Sequence, residues 1–390
     1  MSLIADLRAR GFVHQTTDET ALDAALGAGE VAYYCGFDPT APSLHVGSAV
    51  QLMLMGHLAR AGHRTIAVIG GGTGMVGDPS GRDSTRDFIT PEFVRANLDG
   101  IRPQIQGFAP NATLVDNAEW LLPLQYIPFL RDIGRHFSVN RMLGADSVRL
   151  RLERDQGISF IEFNYCLLQA YDFLELNRRF GCCLQVGGAD QWFNILMGVE
   201  LIRRIESKES WGLTTPLLTT ATGAKMGKTA AGAVWLDPTR TSPFDFYQYW
   251  YNSDDRDLGP FLKLFTYLDL RRIDEILAGD VREAKHHLAR EVTAQVHGGP
   301  VADETARRVK ETFSQGFSEA MPVHRVPAFP ASVVDVLVGS GLCGGKGEAR
   351  RLIDGGGVRF GDEKILDPTW CVPSPGVLWA GKKRAVRVEG

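Results

Sequence analysis

The chain has 390 residues, 44% of them hydrophobic and 23% charged, with 42 Lys and Arg against 46 Asp and Glu for a formal charge of −4. That length allows two or three domains, and the mild acidity argues against a protein that coats nucleic acid indiscriminately. No apolar run is long enough to cross a bilayer, Met1–Arg10 reads as neither a signal nor a transit peptide, and the six cysteines lack metal-site spacing, so reduced thiols and a cytoplasmic location are expected.

Val31 to Phe37 reads as a buried strand, broken by Asp38-Pro39-Thr40. Ser43 is a candidate N-cap for a helix from about Leu44 to Arg60. Thr65 to Ile69 reads as a second buried strand, followed by a glycine-rich stretch from Gly70 to Arg82. Signals keep alternating through Leu114-Val115, the Pro123 to His136 region, a long helix near Glu162 to Phe180 and the strand Leu184-Gln185-Val186. Strands alternating with helices predict an α/β domain with a mostly parallel sheet, in which ligands sit beyond the carboxyl ends of the strands. Past Pro238 the pattern turns nearly all helical from Pro243 to about Gln315, with amphipathic stretches at Pro260 to Leu277 and Val281 to Val296. Pro322 to Pro330 reads as a linker. The last 60 residues are Gly-rich, with a short helix near Glu348 to Ile353 and turns at Gly355-Gly356-Gly357 and Gly361-Asp362. Ala331 to Gly390 carries nine Lys and Arg against seven Asp and Glu, hence +2; the remainder, 33 against 39, carries −6. A slightly basic tail on an acidic body permits one localised RNA contact.

Three constellations carry chemistry. His45-Val46-Gly47-Ser48 falls in the first turn of a helix that follows a strand, where unpaired N–H groups and the positive end of the helix dipole suit phosphate. About 180 residues later, Lys225-Met226-Gly227-Lys228-Thr229 puts two ammonium groups on a small, polar, Gly-rich loop. Such a loop can close over a triphosphate and stabilise charge that develops as a phosphate leaves. Tyr165, Gln169 and Asp172, spaced i, i+4, i+7, share one face of a helix whose intervening residues are apolar, so that stripe must meet a ligand or another polar group.

The two loops resemble the HIGH and KMSKS signatures of class I aminoacyl-tRNA synthetases. With YYCGFDPTAPSLHVGS, GGGTGMVGDPSGR, RHFSVNRML, FNYCLLQAYDFLEL and LQVGGADQW, the chain resembles the bacterial tyrosyl-tRNA synthetase family along essentially its whole length. The resemblance implies a Rossmann-like catalytic domain over 1–238, a helical anticodon-side domain over 239–321, a linker over 322–330 and a small α+β RNA-binding module of ribosomal-protein type over 331–390. It implies that Tyr34 and Asp172 hydrogen-bond a substrate phenol, and that Tyr165, Gln169 and Asp78 hold its α-ammonium group, with Gln185 nearby. Cys35, Gly36, Asp38, Gly47, Ser48, Gly187, Asp190 and Gln191 correspond to positions around ATP and the adenylate. Thr40 and His45 correspond to pyrophosphate donors, and Lys225, Lys228 and Thr229 to the catalytic loop. Asn117, in DNAEW, resembles a pocket-lining position.

Two departures stand out. Ser48 replaces the second histidine of HIGH, which keeps one donor with less reach. Gly227 replaces the middle serine of KMSKS and is expected to loosen the loop slightly. In the tail, GEARRLIDGGGVRFGDEKI resembles an RNA-binding module, with Arg350 and Arg351 directed at phosphates. The implied substrates are L-tyrosine, ATP with Mg²⁺ and tRNA(Tyr), in a homodimer with no metal bound by the protein. Two alternatives stand beside this reading: a tryptophanyl-type synthetase, and a non-catalytic RNA-binding relative.

Overall fold

The computed structural model describes residues 1–78, 90–155, 157–223, 226–229, 232–315, 322–361, 363–381 and 384–390, with backbone alone for Pro91, Lys228, Thr229 and 311–315. It forms two compact units, 1–302 and 303–390. The first is built on six strands: β1 (Gln15–Thr16), β2 (Ala32–Phe37), β3 (Arg64–Ile69), β4 (Thr113–Asp116), β5 (Leu184–Gly188) and β6 (Trp211–Thr215). Their order is β1-β6-β5-β2-β3-β4, and only the short edge strand β1 is antiparallel to its neighbour. β2, β3 and β5 are buried along nearly their whole length, which is why they read as near-continuous apolar runs rather than alternating ones.

The chain winds outward from β2 through β3 to β4, then crosses back to place β5 on the other side of β2. The crevice beyond the carboxyl ends of β2 and β5 is therefore a topological switch point, the usual ligand position in such a sheet. Register sets the site as well: Tyr34 lies opposite Gln185 and Cys35 opposite Val186.

The helix Phe160–Phe180 starts at a capping box, Ser159 with Glu162, and ends at Gly181 in the left-handed region. Its apolar face joins Tyr34, Ile66, Val68 and the helix Trp192–Glu206 in the main core. The helix expected from Leu44 begins later. Ser43 does not cap it; its hydroxyl donates to Leu44 O and accepts from Gln104 Nε2 and Asp237 N. His45 instead caps a 3-10 turn, Val46–Ser48, and the α-helix runs Ala49–Arg60.

The helical region follows the expected outline, with helices Pro243–Tyr251, Leu258–Phe265, Leu270–Leu277, Val281–His297 and Gly299–Gln315. The stretch Pro260 to Leu277 is broken at Thr266, whose hydroxyl bonds back to Leu262 O while its backbone turns extended. In the second unit, helices Val333–Gly339 and Lys346–Asp354 pack with a five-stranded sheet around a separate core. The stretch expected as a linker contributes Val323–Arg325 to that sheet, parallel to Arg384–Glu389.

Candidate active site

A cavity of about 380 Å³ opens at the switch point. Every residue expected to bind a small ligand, outside the KMGKT loop, lines it. β2 and the turn after it supply Tyr34, Cys35, Gly36, Asp38 and Thr40. β5 and its continuation supply Gln185, Gly187, Asp190 and Gln191. The helix Phe160–Phe180 presents Tyr165, Gln169 and Asp172, the turn after Leu44 presents His45, Gly47 and Ser48, and Asp78 closes the wall. Lys225 lies outside the described residues. Lys228 and Thr229 form a two-residue strand against Gly232–Ala233. Arg350 and Arg351 sit exposed on the helix Lys346–Asp354, in the other compact unit.

The deep end is built of buried polar side chains. Asp172, 4% exposed, accepts from Asn117 Nδ2 at 2.9 Å and from Trp120 Nε1 at 2.7 Å. Burial nevertheless pushes its carboxyl up to about 7, against the opposing pull of those two donors. Asn117 is fully used: its second Nδ2 hydrogen goes to Thr73 Oγ1 at 2.8 Å, and its Oδ1 accepts from Gly72 N at 2.7 Å. The glycines of the preceding loop permit this approach, since a Cβ on Gly71 would sit 2.0 Å from Asp116 Oδ1. Tyr34, packed on Phe173 at 5.2 Å, has a buried hydroxyl with no hydrogen-bond partner among the described residues, and the same holds for Oε1 of its register neighbour Gln185. Burial first, and then the Asp172 charge, hold the Tyr34 phenol well above its ordinary pKa, so it remains a donor. Tyr165 is likewise kept neutral by burial and by Asp78, Asp38 and Asp172. Next to it, Gln191 Nε2 donates to Asp78 Oδ2 at 2.6 Å, and Asn194 donates to Gln169 Oε1 at 3.2 Å.

The outer end is made of turns. His45 Nδ1 accepts from Gly47 N at 2.9 Å, so the neutral ring carries its proton on Nε2 and is a donor there. Val46 N donates to Val234 O, and Leu236 N to Leu44 O, both at 2.9 Å, which ties this turn to the segment leaving the KMGKT loop. Gly227, expected to loosen that loop, is instead buried and packed against Gly47.

A family model described as tRNA synthetases class I (W and Y) matches residues 27–314. The tyrosine–tRNA ligase of Zymomonas mobilis is 52% identical over 371 residues, 93% of this chain and 91% of that protein. The crystal structure of a C-terminally truncated Aspergillus nidulans mitochondrial tyrosyl-tRNA synthetase superposes with a TM-score of 0.73 at 32% identity, covering 80% of this chain and 94% of that one. The chain belongs to the tyrosyl-tRNA synthetase family. A tryptophanyl-tRNA synthetase from Encephalitozoon cuniculi, at 16% identity and a TM-score of 0.56 over 78% of this chain and 87% of its own, shares the fold alone.

Several residues of this synthetase's site escape sequence reasoning. Trp120 looks like core, and it is 4% exposed, yet its indole N–H positions Asp172. Asn194 and Gln51 sit on helices, within patterns that otherwise read as structural; Gln51 Nε2 donates to Thr215 Oγ1 at 3.2 Å. The one available signal was polarity at a helical position that must face inward.

Proposed function

We propose that this synthetase activates L-tyrosine with ATP to give tyrosyl-adenylate and pyrophosphate, then transfers the tyrosyl group to the 3′-terminal ribose of tRNA(Tyr). The observation that carries the reading is the Tyr34 hydroxyl: buried, without a partner among the described residues, and on a residue that lines the cavity together with Asp172. A phenol bound there can donate to Asp172, whose oxygens each already hold one N–H, and can accept from Tyr34. Phenylalanine would leave the Tyr34 hydroxyl without an acceptor and offer Asp172 no third donor, a discrimination for which tyrosyl-tRNA synthetases are themselves the reference case. An indole could donate to Asp172 but has no oxygen to accept from Tyr34, so tryptophan would use only half of this pair.

The α-ammonium group fits Asp78, Tyr165 and Gln169, with Gln185 beside them. In the first step a carboxylate oxygen of tyrosine attacks the α-phosphorus of ATP, the bond to the β-phosphate breaks, and its electron pair leaves on pyrophosphate. Asp38, Gly187, Asp190 and Gln191 hold the ribose, with Cys35, Gly36, Gly47 and Ser48 around the nucleotide. Thr40, His45, Lys225, Lys228 and Thr229 supply donors where negative charge grows, so catalysis is positioning plus electrostatics with no covalent enzyme intermediate. Mg²⁺ enters as part of the ATP complex. In the second step a tRNA hydroxyl attacks the carbonyl carbon and AMP departs.

The assembly belongs to the same reading. Arg350 and Arg351 contact tRNA phosphates, and the protein acts in the cytoplasm as a homodimer. The helix Tyr126–Asp132 buries none of its residues, and Tyr126, Ile127, Val139 and Phe160 are all more than half exposed, which supports pairing through exposed apolar side chains of the first unit. The test is charging of tRNA(Tyr) with labelled tyrosine. Charging with tryptophan instead would overturn the substrate assignment.

A further inference from the structure

The KMGKT loop is held at its base by the helical region. Gly227 has φ +83°, and a Cβ there would lie 2.7 Å from Gly47 N, so only glycine allows this backbone to rest on the HVGS turn. Its N–H donates to Tyr249 Oη at 3.1 Å, from the helix Pro243–Tyr251, and its carbonyl accepts from Val234 N at 3.0 Å. At the entry to the loop, Ala221 N donates to both oxygens of Asp257, at 2.9 and 3.0 Å. Asp257 occupies the N-cap position of the helix Leu258–Phe265 yet makes no side-chain cap bond to it. An Asp at that position ordinarily satisfies its own helix; this one, 7% exposed, gives its carboxylate to the loop stalk.

We propose that Tyr249 and Asp257 are positioning residues for adenylate formation: they fix the backbone at Gly227 and Ala221 so that Gly227 lies docked on Gly47 of the HVGS turn. Neither residue lines the tyrosine-binding cavity. They act only through the loop, so their removal slows the chemical step and leaves tyrosine binding alone. This rests on the adenylation reading above.

The experiment is single-turnover tyrosyl-adenylate formation on the full chain, beside a direct titration of tyrosine, for wild type, Tyr249→Phe, Gly227→Ala and the double variant. Loss of one neutral hydrogen bond predicts an adenylation rate about 5- to 10-fold lower in Tyr249→Phe, with the tyrosine dissociation constant unchanged. Gly227→Ala, which forces a strained backbone and a clash, is expected to cost about 10- to 100-fold. In that background Tyr249→Phe should add less than about twofold, because the docked arrangement it supports is already lost. A wild-type rate in Tyr249→Phe, an equal loss of tyrosine affinity, or full additivity in the double variant would each overturn the proposal. Absence of adenylate formation by the wild type would instead overturn the adenylation reading.

Discussion

The two ends of the cavity are made in different ways. The deep end is assembled from side chains on β2, β5 and the helix Phe160–Phe180, buried and fixed by a relay from Gly72 through Asn117 to Asp172, with Trp120 on the other oxygen. The outer end is backbone: a 3-10 turn capped by His45 and a loop base resting on Gly47. A site that must tell a phenol from a phenyl ring needs polar groups desolvated in advance. A site that must follow charge moving along a triphosphate needs donors that can be brought together around it. On the proposed reading, recognition therefore sits on rigid elements, and the phosphate chemistry on turns that glycine lets approach.

Substitutions should separate these ends. Lys228→Ala is expected to lower the adenylation rate by about 10²–10³, the usual cost of a donor used chiefly in the transition state, with tyrosine affinity kept; stopped-flow tyrosine binding beside adenylate formation measures both, and equal loss of the two would dissolve the contrast. Asp172→Ala should do the reverse, weakening tyrosine about 100-fold through loss of a charge-assisted hydrogen bond. Unchanged affinity by equilibrium titration would remove Asp172 from the phenol site.

The same carboxylate predicts a pH dependence. Its pKa is raised to about 7 in the free protein. In the proposed site tyrosine's phenol donates to the ionised form, so affinity should rise with pH through 7, being about tenfold weaker at pH 6 than at pH 8. The stability sign is opposite. Between the ordinary carboxylate pKa and 7 the folded chain keeps a proton that the unfolded chain has lost, so this group's contribution falls as pH rises through that window. Asp172→Asn should flatten the binding profile; a profile still sloping in that variant would point to another group. The smallest effect belongs to Tyr34→Phe. It should weaken tyrosine about fivefold while leaving Tm level or slightly raised, because the free protein loses only a buried hydroxyl with no partner among the described residues. A clear drop in Tm would make Tyr34 structural.

Much of this was legible in the chain. The alternation of apolar runs with helical periods is what a doubly covered parallel sheet requires, and the stripe of Tyr165, Gln169 and Asp172 faces the cavity as its spacing demands. What escaped depends on contacts made across the sequence. Ser43 has the chemistry of a cap, but Gln104 and Asp237 claim its hydroxyl. Val323–Arg325 becomes a strand only because Arg384–Glu389 lies alongside it. Trp120 reads as core until its N–H is seen to hold a carboxylate. Gly227 is permissive in isolation, and only the adjacency of Gly47 turns that freedom into a close contact.

The most direct test of the central claim is tyrosine-dependent exchange of labelled pyrophosphate into ATP, run beside phenylalanine and tryptophan. Exchange with tyrosine and none above background with the other two is the predicted result. Exchange with phenylalanine at a comparable rate, or none with tyrosine, would contradict the assignment of Tyr34 and Asp172 as the pair that recognises the phenol.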